Sequence, residues 1–388
     1  MYPTLTFYLC ITGTNLLDGI LGSYIIMSAA ASGASPAVVG LISAAAVAPW
    51  LFSLLLGTVL DHLGASRVLR IVTFIRPTAI GLIALCHWIS QFPPDWSFLL
   101  WVVLALINGA VDMATDISAQ TYLGQCVPPA QLVRSYGLLS SIQVVCASLL
   151  APAVVGFLVT IPFSWVVGGA ALGALLMVFP ALTLNQPAPI ITEPLSPQLA
   201  GAGLKALWQN NWLRRTALSV STLNIMNSAA GAVGMVYLLQ ELHIKPEHLG
   251  IVWSLVGVAS AAGGYLAGKL STALGFSAAV FLGATALVLS DAALLLSASL
   301  SFLAATWILT GFFTPLFAVN LMSQRQRSVP LMVLGRVNAA FQFLGIGSAP
   351  IGSLLGGFCA SAWGVWPVLL AVFLINAVTL LINKPWSR

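Results

Sequence analysis

Apolar stretches long enough to cross a lipid bilayer recur along the whole chain, separated by short polar connections. A helix needs about 20 apolar residues to span the hydrocarbon core of a bilayer. Twelve stretches predict transmembrane helices, near residues 5–31, 37–60, 68–90, 98–123, 135–159, 163–184, 214–240, 248–268, 277–297, 301–322, 337–360 and 365–383. The runs of alternating apolar and polar residues that a membrane β-barrel needs are absent from the sequence. The pattern therefore predicts an all-α membrane protein.

The longest polar interval divides these predicted helices into two groups of six. It covers residues 185–213 and carries several prolines. We therefore expect an N-terminal six-helix half at 1–184, a cytoplasmic central linker at 185–213 and a C-terminal six-helix half at 214–388. The segment Leu204–Arg215, where the linker meets the next helix, combines Trp with basic residues. It is either an interfacial helix or an ordinary linker.

The two halves repeat a short motif at matching positions. V-P-x-x-x-L-x-R follows the fourth predicted helix at Val127–Arg134 and the tenth at Val329–Arg336. The fifth and eleventh helices also share a Pro followed by a Gly, as Pro152 with Gly156 and Pro350 with Gly352. The repetition predicts a duplicated 6+6 architecture. Transporters built from such repeats bind substrate between the repeats near mid-membrane, and one repeat rocks against the other.

Composition agrees with this architecture, and the distribution of charge orients it. Hydrophobic residues make up 59% of the chain, and the mean hydropathy is +1.01. With the N-terminus in the cytoplasm, nearly all basic residues outside the helices fall on the cytoplasmic side, and Lys245 falls outside. The positive-inside rule then places both termini in the cytoplasm. The net charge of +5 thus indicates orientation and not a nucleic-acid partner.

Only 23 of the 388 residues are charged, and five of these lie inside the long apolar stretches. They are Asp18, Arg76, Asp112, Asp116 and Asp291. A charge in hydrocarbon is costly, so it usually faces a partner or a water-filled path. These residues favour a protein that moves something across the membrane.

The position of each of these five residues along its predicted helix indicates its depth in the membrane and its expected role. Asp18 and Asp112 lie near mid-membrane and are expected to face each other across a cavity, where carboxylates in apolar surroundings can exchange protons near neutral pH. Asp116 shares the helix face of Asp112, about 6 Å along the axis. Arg76 is a partner for Asp112 or Asp116, and Asp116 is the favoured one. Asp291 is expected to be a packed or water-reached group.

Uncharged polar residues also fall within the predicted helices. The candidates for a substrate path are Asn15 and Tyr24 on the first helix, Gln143 on the fifth, Asn224 and Asn227 on the seventh and Gln342 on the eleventh. Two interpretations remain open. They line the path, or they form hydrogen bonds between helices, as is common in membrane bundles.

The connection after the second helix resembles a known family. It reads Gly57-Thr-Val-Leu-Asp61-His62-Leu-Gly64-Ala-Ser-Arg67. This is similar to the G-x-x-x-D-[RK]-x-G-x-[RK] signature of the major facilitator superfamily. The match is partial, because His62 stands where the family has Arg or Lys, and Arg67 lies one residue after the last basic position of the signature. The resemblance implies a conformational latch formed by Gly57, Asp61, Gly64 and Arg67.

The fourth helix and its following loop resemble one branch of that family. Residues Ala110–Gln120, followed by Val127-Pro128 and Leu132, are similar to macrolide-efflux and enterobactin-exporter-like proteins. This resemblance implies the major facilitator fold and export of a small organic molecule by proton antiport. Two departures matter. The Arg that many drug antiporters hold in the fourth helix is missing, and the antiporter motif of the fifth survives only as Ala151-Pro152-x-x-x-Gly156.

We therefore expect a secondary active transporter in the bacterial inner membrane, exporting a drug-like compound or a siderophore by alternating access. The alternatives are an importer or facilitator of a nutrient or metal complex, or a non-transporting membrane sensor. The sequence has no H-E-x-x-H and no phosphate-binding loop, so we expect neither an enzyme nor ATP. We expect no cofactor, no metal site and no nucleic acid. The expected partners are protons, a small-molecule substrate and the lipid bilayer, and the expected state is a monomer.

Overall fold

The computed structural model describes residues 5–53, 55–56, 63–90, 94–127, 135, 138–139, 141–184, 204–296, 299–329 and 331–382. Throughout these residues the regular structure is helical, and they contain no strand. The helices are α1 Leu5–Ala31, α2 Pro36–Val47, α3 Ala65–Ser90, α4 Pro94–Cys126, α5 Ala151–Leu158, α6 Phe163–Leu182, α7 Asn211–Val236, α8 Pro246–Leu274, α9 Phe276–Leu295, α10 Leu300–Ser328, α11 Leu331–Gly345, α12 Ala349–Trp363 and α13 Val365–Ile382.

Short helical turns of other types extend four of these helices. 3-10 turns at Ala48–Phe52 and Ile346–Ser348 follow α2 and α11. π-helical segments at Val145–Leu150 and Tyr237–Glu241 precede α5 and follow α7. A π segment widens the helix by leaving one residue out of the usual hydrogen-bond ladder, and such segments are frequent at functional sites.

Ten helices within the described residues are long and apolar enough to cross a membrane. The apolar helix Pro36–Phe52, at the second predicted span, is shorter, and the end of that span lies outside the described residues. The third predicted span lies within α3, a helix of 26 residues. The chain is a multi-pass helical membrane protein. The count of twelve and the 6+6 arrangement remain predictions.

Glycines in a left-handed conformation separate several consecutive helices. Gly64 precedes α3, Gly275 joins α8 to α9, and Gly364 joins α12 to α13, with φ of 81°, 81° and 88°. Glycine lacks the Cβ that makes such angles costly for other residues. These glycines therefore permit the chain to turn sharply between helices.

The chain forms two compact units. The first comprises Met1–Ser32, Ala45–Pro194 and Pro246–Ile251. In it α1 packs against α4 and α6, and α3 packs against the same two helices. The rings of Phe7 and Tyr122 stack at 4.8 Å between α1 and α4, inside a buried apolar cluster.

The second unit comprises Gly33–Ala44, Leu195–Lys245 and Val252–Arg388. In it α7 packs against α12 and α13, while α9 packs against α10 and α13. The buried side chains of Leu223, Val280 and Phe317 form one of its apolar clusters. The sequence-based boundaries at 184 and 214 remain a prediction.

Large apolar side chains also cover parts of the outer surface. Trp165 and Phe179 on α6 are each 76% exposed, and Tyr265 on α8 is 84% exposed. Exposed apolar side chains in such numbers are unfavourable in water but suit contact with lipid. The surface therefore agrees with a protein that lies within a bilayer.

Candidate functional site

A buried ion pair joins α1 to α3 in the first unit. Arg76 donates a hydrogen bond from Nη2 to Oδ1 of Asp18, and the two side chains are 2% and 7% exposed. Arg76 also donates from Nη1 to the carbonyl oxygen of Thr14 at 3.0 Å. Thr14 and Asp18 are one helical turn apart, so the planar guanidinium reaches both acceptors from one side.

This geometry corrects a prediction made from the sequence. Arg76 was expected to pair with Asp116 or Asp112, and within the described residues it pairs with Asp18 instead. Counting residues gives the depth of a side chain in a helix, but it does not give the rotation of one helix against another. The prediction was wrong because that rotation places Asp18, and neither carboxylate of α4, against Arg76.

Asn108 on α4 lies beside this ion pair, and it was not among the residues predicted from the sequence. Its Nδ2 donates to the backbone oxygen of Asp18 at 3.5 Å, and its side chain is 7% exposed. Asn108 precedes Asp112 by four residues, so the two occupy one face of α4. That spacing was the signal that could have identified it.

The carboxylate of Asp116 accepts hydrogen bonds from two side-chain amides. Its Oδ1 accepts a hydrogen bond from Nε2 of Gln143, and its Oδ2 accepts one from Nε2 of Gln120 at 3.0 Å. No Lys or Arg of the described residues lies within 4.0 Å of its carboxylate. Asp116 therefore fixes α4 to the segment before α5 through neutral donors.

Asp112 differs from these two carboxylates. It is half-buried in α4, and its side chain makes no hydrogen bond or ion pair to the described part of the chain. Within a membrane a carboxylate without a partner is costly, and such residues mark ion pathways or binding sites. The first unit thus contains three different carboxylates: Asp18 in an ion pair, Asp116 hydrogen-bonded to amides, and Asp112 with unused acceptor oxygens.

The uncharged candidates have different environments. Asn15 donates to the carbonyl oxygen of Ile11 at 2.8 Å within its own helix, and Gln342 on α11 is exposed. Tyr24 is buried, with its ring stacked 6.4 Å from that of Phe163. The remaining two candidates lie on α7. Nδ2 of Asn224 lies 3.5 Å from the position a Cβ would take at Gly345, and Asn227 lines a cavity of the second unit.

The predicted latch is described only in part. Gly57 and Asp61 lie outside the described residues. Gly64 has the left-handed conformation given above, and its carbonyl oxygen accepts a hydrogen bond from the backbone N–H of Arg67 at 3.2 Å. The side chain of Arg67 is exposed on the first turn of α3.

Asp291 lies on the wall of the cavity that Asn227 lines. Nδ2 of Asn376 on α13 donates to its Oδ2 at 2.7 Å. A packed or water-reached group was expected here from the sequence, and neither the cavity nor the bond from Asn376 was predicted. Among the described residues, no three His, Cys, Asp or Glu side chains form a group that could hold a metal ion.

The chain is similar in sequence to proteins of one transporter family. Residues 217–383 match the family model of the Major Facilitator Superfamily. Over 92% of its length the chain is 26% identical to an uncharacterized MFS-type transporter, y4rN, of Sinorhizobium fredii, and the match covers 86% of that protein. These matches support the Major Facilitator Superfamily. They indicate a transporter and not an enzyme.

Solved structures of several transporters share the fold. A variant of the nucleoside transporter NupG superposes with a TM-score of 0.80 at 15% identity, covering 98% of this chain and 100% of that one. A bacterial homologue of the iron transporter ferroportin, in its inward-facing state, superposes with a TM-score of 0.73 at 16% identity, covering 100% of both chains. A D-xylose-proton symporter superposes at 0.69 with 14% identity, covering 99% of this chain and 98% of the other. Transporters of this fold handle small molecules within the membrane.

Proposed function

We propose that the protein is a proton-coupled secondary transporter that exports a small organic molecule, either a drug-like compound or a siderophore, from the bacterial cytoplasm. The observation that carries the proposal is the polar cluster of the first unit. The paired Asp18 and Arg76 lie beside Asn108, which shares a helix face with Asp112. Asp112 has no partner in the described part of the chain.

Asp112 is the proposed proton carrier. Taking up a proton removes its charge, and this lowers the cost of keeping it in apolar surroundings. Oδ2 of Asp18 is buried without a hydrogen bond to any described residue, so this carboxylate also has an unused acceptor. A proton on either group weakens the attraction between the first unit and a positive charge. Proton uptake and release at this cluster would thereby be linked to the binding and release of cargo.

Alternating access is the proposed cycle. The two six-helix halves, 1–184 and 214–388, rock around a site near mid-membrane to which Asn15, Tyr24, Asn224, Asn227 and Gln342 contribute. Gly57, Asp61, Gly64 and Arg67 form the proposed latch, and the turn at Gly64 with Arg67 exposed on the first turn of α3 supports it. The proposed location is the inner membrane, with both termini in the cytoplasm and a monomeric state.

Import is the second candidate function. The relatives of known structure include a nucleoside transporter and a D-xylose-proton symporter, although their likeness concerns the fold alone. Export is favoured by the resemblance of Ala110–Gln120 to exporters. An importer that moves its cargo together with protons would need the same buried carboxylates, so direction is the property to measure.

Everted membrane vesicles with an imposed pH gradient distinguish the two functions. An antiporter moves its cargo into an acidified lumen, and addition of cargo releases protons that a pH-sensitive dye reports. Panels of drug-like compounds and iron-free siderophores serve as cargo, and nigericin collapses the gradient. We expect uptake that stops with nigericin. Uptake that persists without a pH gradient would exclude antiport, and cargo moving in the same direction as protons would establish the importer.

A further inference from the structure

The second unit contains a cavity that the cluster of Asp18 and Asp112 does not involve. It has a volume of about 380 Å³ and is bounded by α7, α8, α9 and α10. Cavities that bind small molecules have volumes of about 300–1,000 Å³. The cavity is therefore large enough for a small organic ligand.

Asp291 supplies the charge of this cavity. Among the residues that line it in the described part of the chain, no other is ionisable. The carboxylate is held by Asn376, which is fully buried and is a neutral donor. No basic side chain of the described residues lies within 4.0 Å of Asp291. The cavity thus presents one negative charge that the described residues leave uncompensated.

Two indole rings also line the cavity, Trp253 on α8 and Trp307 on α10. Nε1 of Trp307 donates to the carbonyl oxygen of Ser290, the residue before Asp291, at 3.3 Å, and this bond fixes the orientation of the ring. The faces of indole rings attract cations, and Trp is the strongest of the aromatic residues in this interaction. Carboxylate and indole together favour a positively charged ligand with an apolar body.

Neutral polar groups complete the lining. Asn227 on α7 makes no side-chain hydrogen bond to the described part of the chain, so its amide can both donate and accept. The hydroxyl of Thr310 donates to the carbonyl oxygen of Thr306 at 2.9 Å and keeps an acceptor for a ligand. These groups can fix the orientation of a bound molecule without adding charge.

We propose that this cavity binds an organic cation that carries one positive charge on an aromatic or otherwise apolar body. The inference deepens the proposed function by naming the class of cargo, and it rests on that function. The ammonium group lies against Asp291 and the apolar body lies against Trp253 and Trp307. An anion is excluded by the same carboxylate.

Gly231 gives a steric test of the same site. It lines the cavity on α7, and a Cβ added there would meet nothing within 4 Å. A Phe side chain at this position therefore projects into open space and fills the cavity, whereas Ala adds only one methyl group. Gly231→Phe and Gly231→Ala form a matched pair that leaves Asp291 and Asn376 unchanged.

Equilibrium binding to the purified full-length protein in detergent tests the proposal. The probes are radiolabelled benzyltrimethylammonium, a cation, and phenylacetate, an anion of similar size. We expect the cation to bind at least about tenfold more tightly than the anion. Asp291→Asn, which keeps the hydrogen bond from Asn376, should weaken cation binding at least about tenfold, and Gly231→Phe should abolish it.

The control variant Glu241→Gln removes an exposed charge that does not line the cavity, and it should bind the cation to within about threefold of the wild type. Gly231→Ala, the smaller member of the matched pair, should bind the cation at least about tenfold more tightly than Gly231→Phe. Size-exclusion profiles and thermal melting confirm folding of every variant. Equal binding of the two probes, no cation binding by the wild type, or wild-type binding by folded Asp291→Asn would each overturn the proposal.

Comparison of binding with transport separates this inference from the proposed function. Proton-driven transport of a neutral or anionic cargo, with no cation binding in the cavity, would overturn the inference and leave the proposed function standing. Cation binding that depends on Asp291, in vesicles that show no response to a pH gradient, would support the inference and contradict proton coupling.

Discussion

The guanidinium of Arg76 on α3 bonds to the carboxylate of Asp18 on α1, and both side chains are almost completely buried. Arg76 bonds in addition to the backbone of Thr14 at 3.0 Å. Removing one member of a buried ion pair leaves the other charge uncompensated, whereas replacing both with apolar residues is often tolerated. The pair therefore connects the two helices and also creates the charge environment of the proposed proton site.

Removal of Arg76 alone should destabilise the first unit. We expect Arg76→Met to lower the free energy of unfolding by about 3–5 kcal/mol, because it leaves the charge of Asp18 buried and unpaired. Chemical unfolding of the purified protein, followed by far-UV circular dichroism, measures the change.

The double variant Asp18→Leu with Arg76→Met provides the control for that measurement. It removes both charges, so it should recover at least about half of the lost free energy. A single variant as stable as the wild type would mean that the ion pair does not contribute to folding.

Replacement of Asp112 should separate transport from stability. Asp112→Asn removes the ionisable group and keeps the shape of the side chain. Because Asp112 has no side-chain bond to the described part of the chain, the free energy of unfolding should change by less than about 1 kcal/mol. Cargo movement driven by a pH gradient should fall at least about tenfold, since the proposed proton carrier is lost.

Vesicles containing equal amounts of wild-type and Asp112→Asn protein give the comparison, with Glu241→Gln as the charge-matched control. Full proton-driven transport by Asp112→Asn would reject this residue as the carrier.

Replacement of Asp116, in contrast to that of Asp112, should lower the stability of the protein. In Asp116→Asn, an amide replaces the carboxylate that accepts hydrogen bonds from Gln143 and Gln120. The NH2 group of the new amide therefore faces the NH2 group of one of these glutamines. We expect a loss of about 1–3 kcal/mol in the free energy of unfolding. The second change Gln143→Glu restores an acceptor for the new amide and should return part of that loss. Thermal melting of the single and double variants measures both effects, and equal melting temperatures for all three proteins would contradict this role of Asp116.

Close approach of α12 to α7 should make Gly352 intolerant of any side chain. A Cβ at this position would collide with the backbone of Ile225, including its carbonyl oxygen, and backbone cannot move aside as a side chain can. We expect Gly352→Ala to destabilise the protein by about 1–3 kcal/mol.

Gly268 on α8 is the matched control, because a Cβ there would meet nothing within 4 Å. Gly268→Ala should stabilise its helix by up to about 1 kcal/mol, since alanine is the better helix former. Chemical unfolding of the two variants in parallel measures the difference. A destabilised Gly268→Ala with an unaffected Gly352→Ala would reverse this interpretation.

Sequence patterns were sufficient for the features that depend on local chemistry. The length and composition of each apolar stretch predicted a multi-pass helical protein. Lipid offers no hydrogen-bond partners, so the backbone N–H and C=O groups of a spanning segment must bond to each other, as they do in a helix. The signature around Gly64 suggested the family, and glycine at that position permits the turn before α3. The four-residue spacing of Asp112 and Asp116 placed both on one helix face, since that face follows from the helical period alone.

Only the tertiary structure decided which of these faces meet. Asp18, and not Asp116, lies against Arg76, while Gln143 takes the position beside Asp116 that the sequence analysis had assigned to the arginine. Asp291, which was expected to be a packed or water-reached group, lies on the wall of a cavity that α7, α8 and α10 also line. The sequence of a helix determines the depth and the relative angle of its own side chains. The rotation of that helix against its neighbours results from the simultaneous packing of all of them, and it determines which charges become partners.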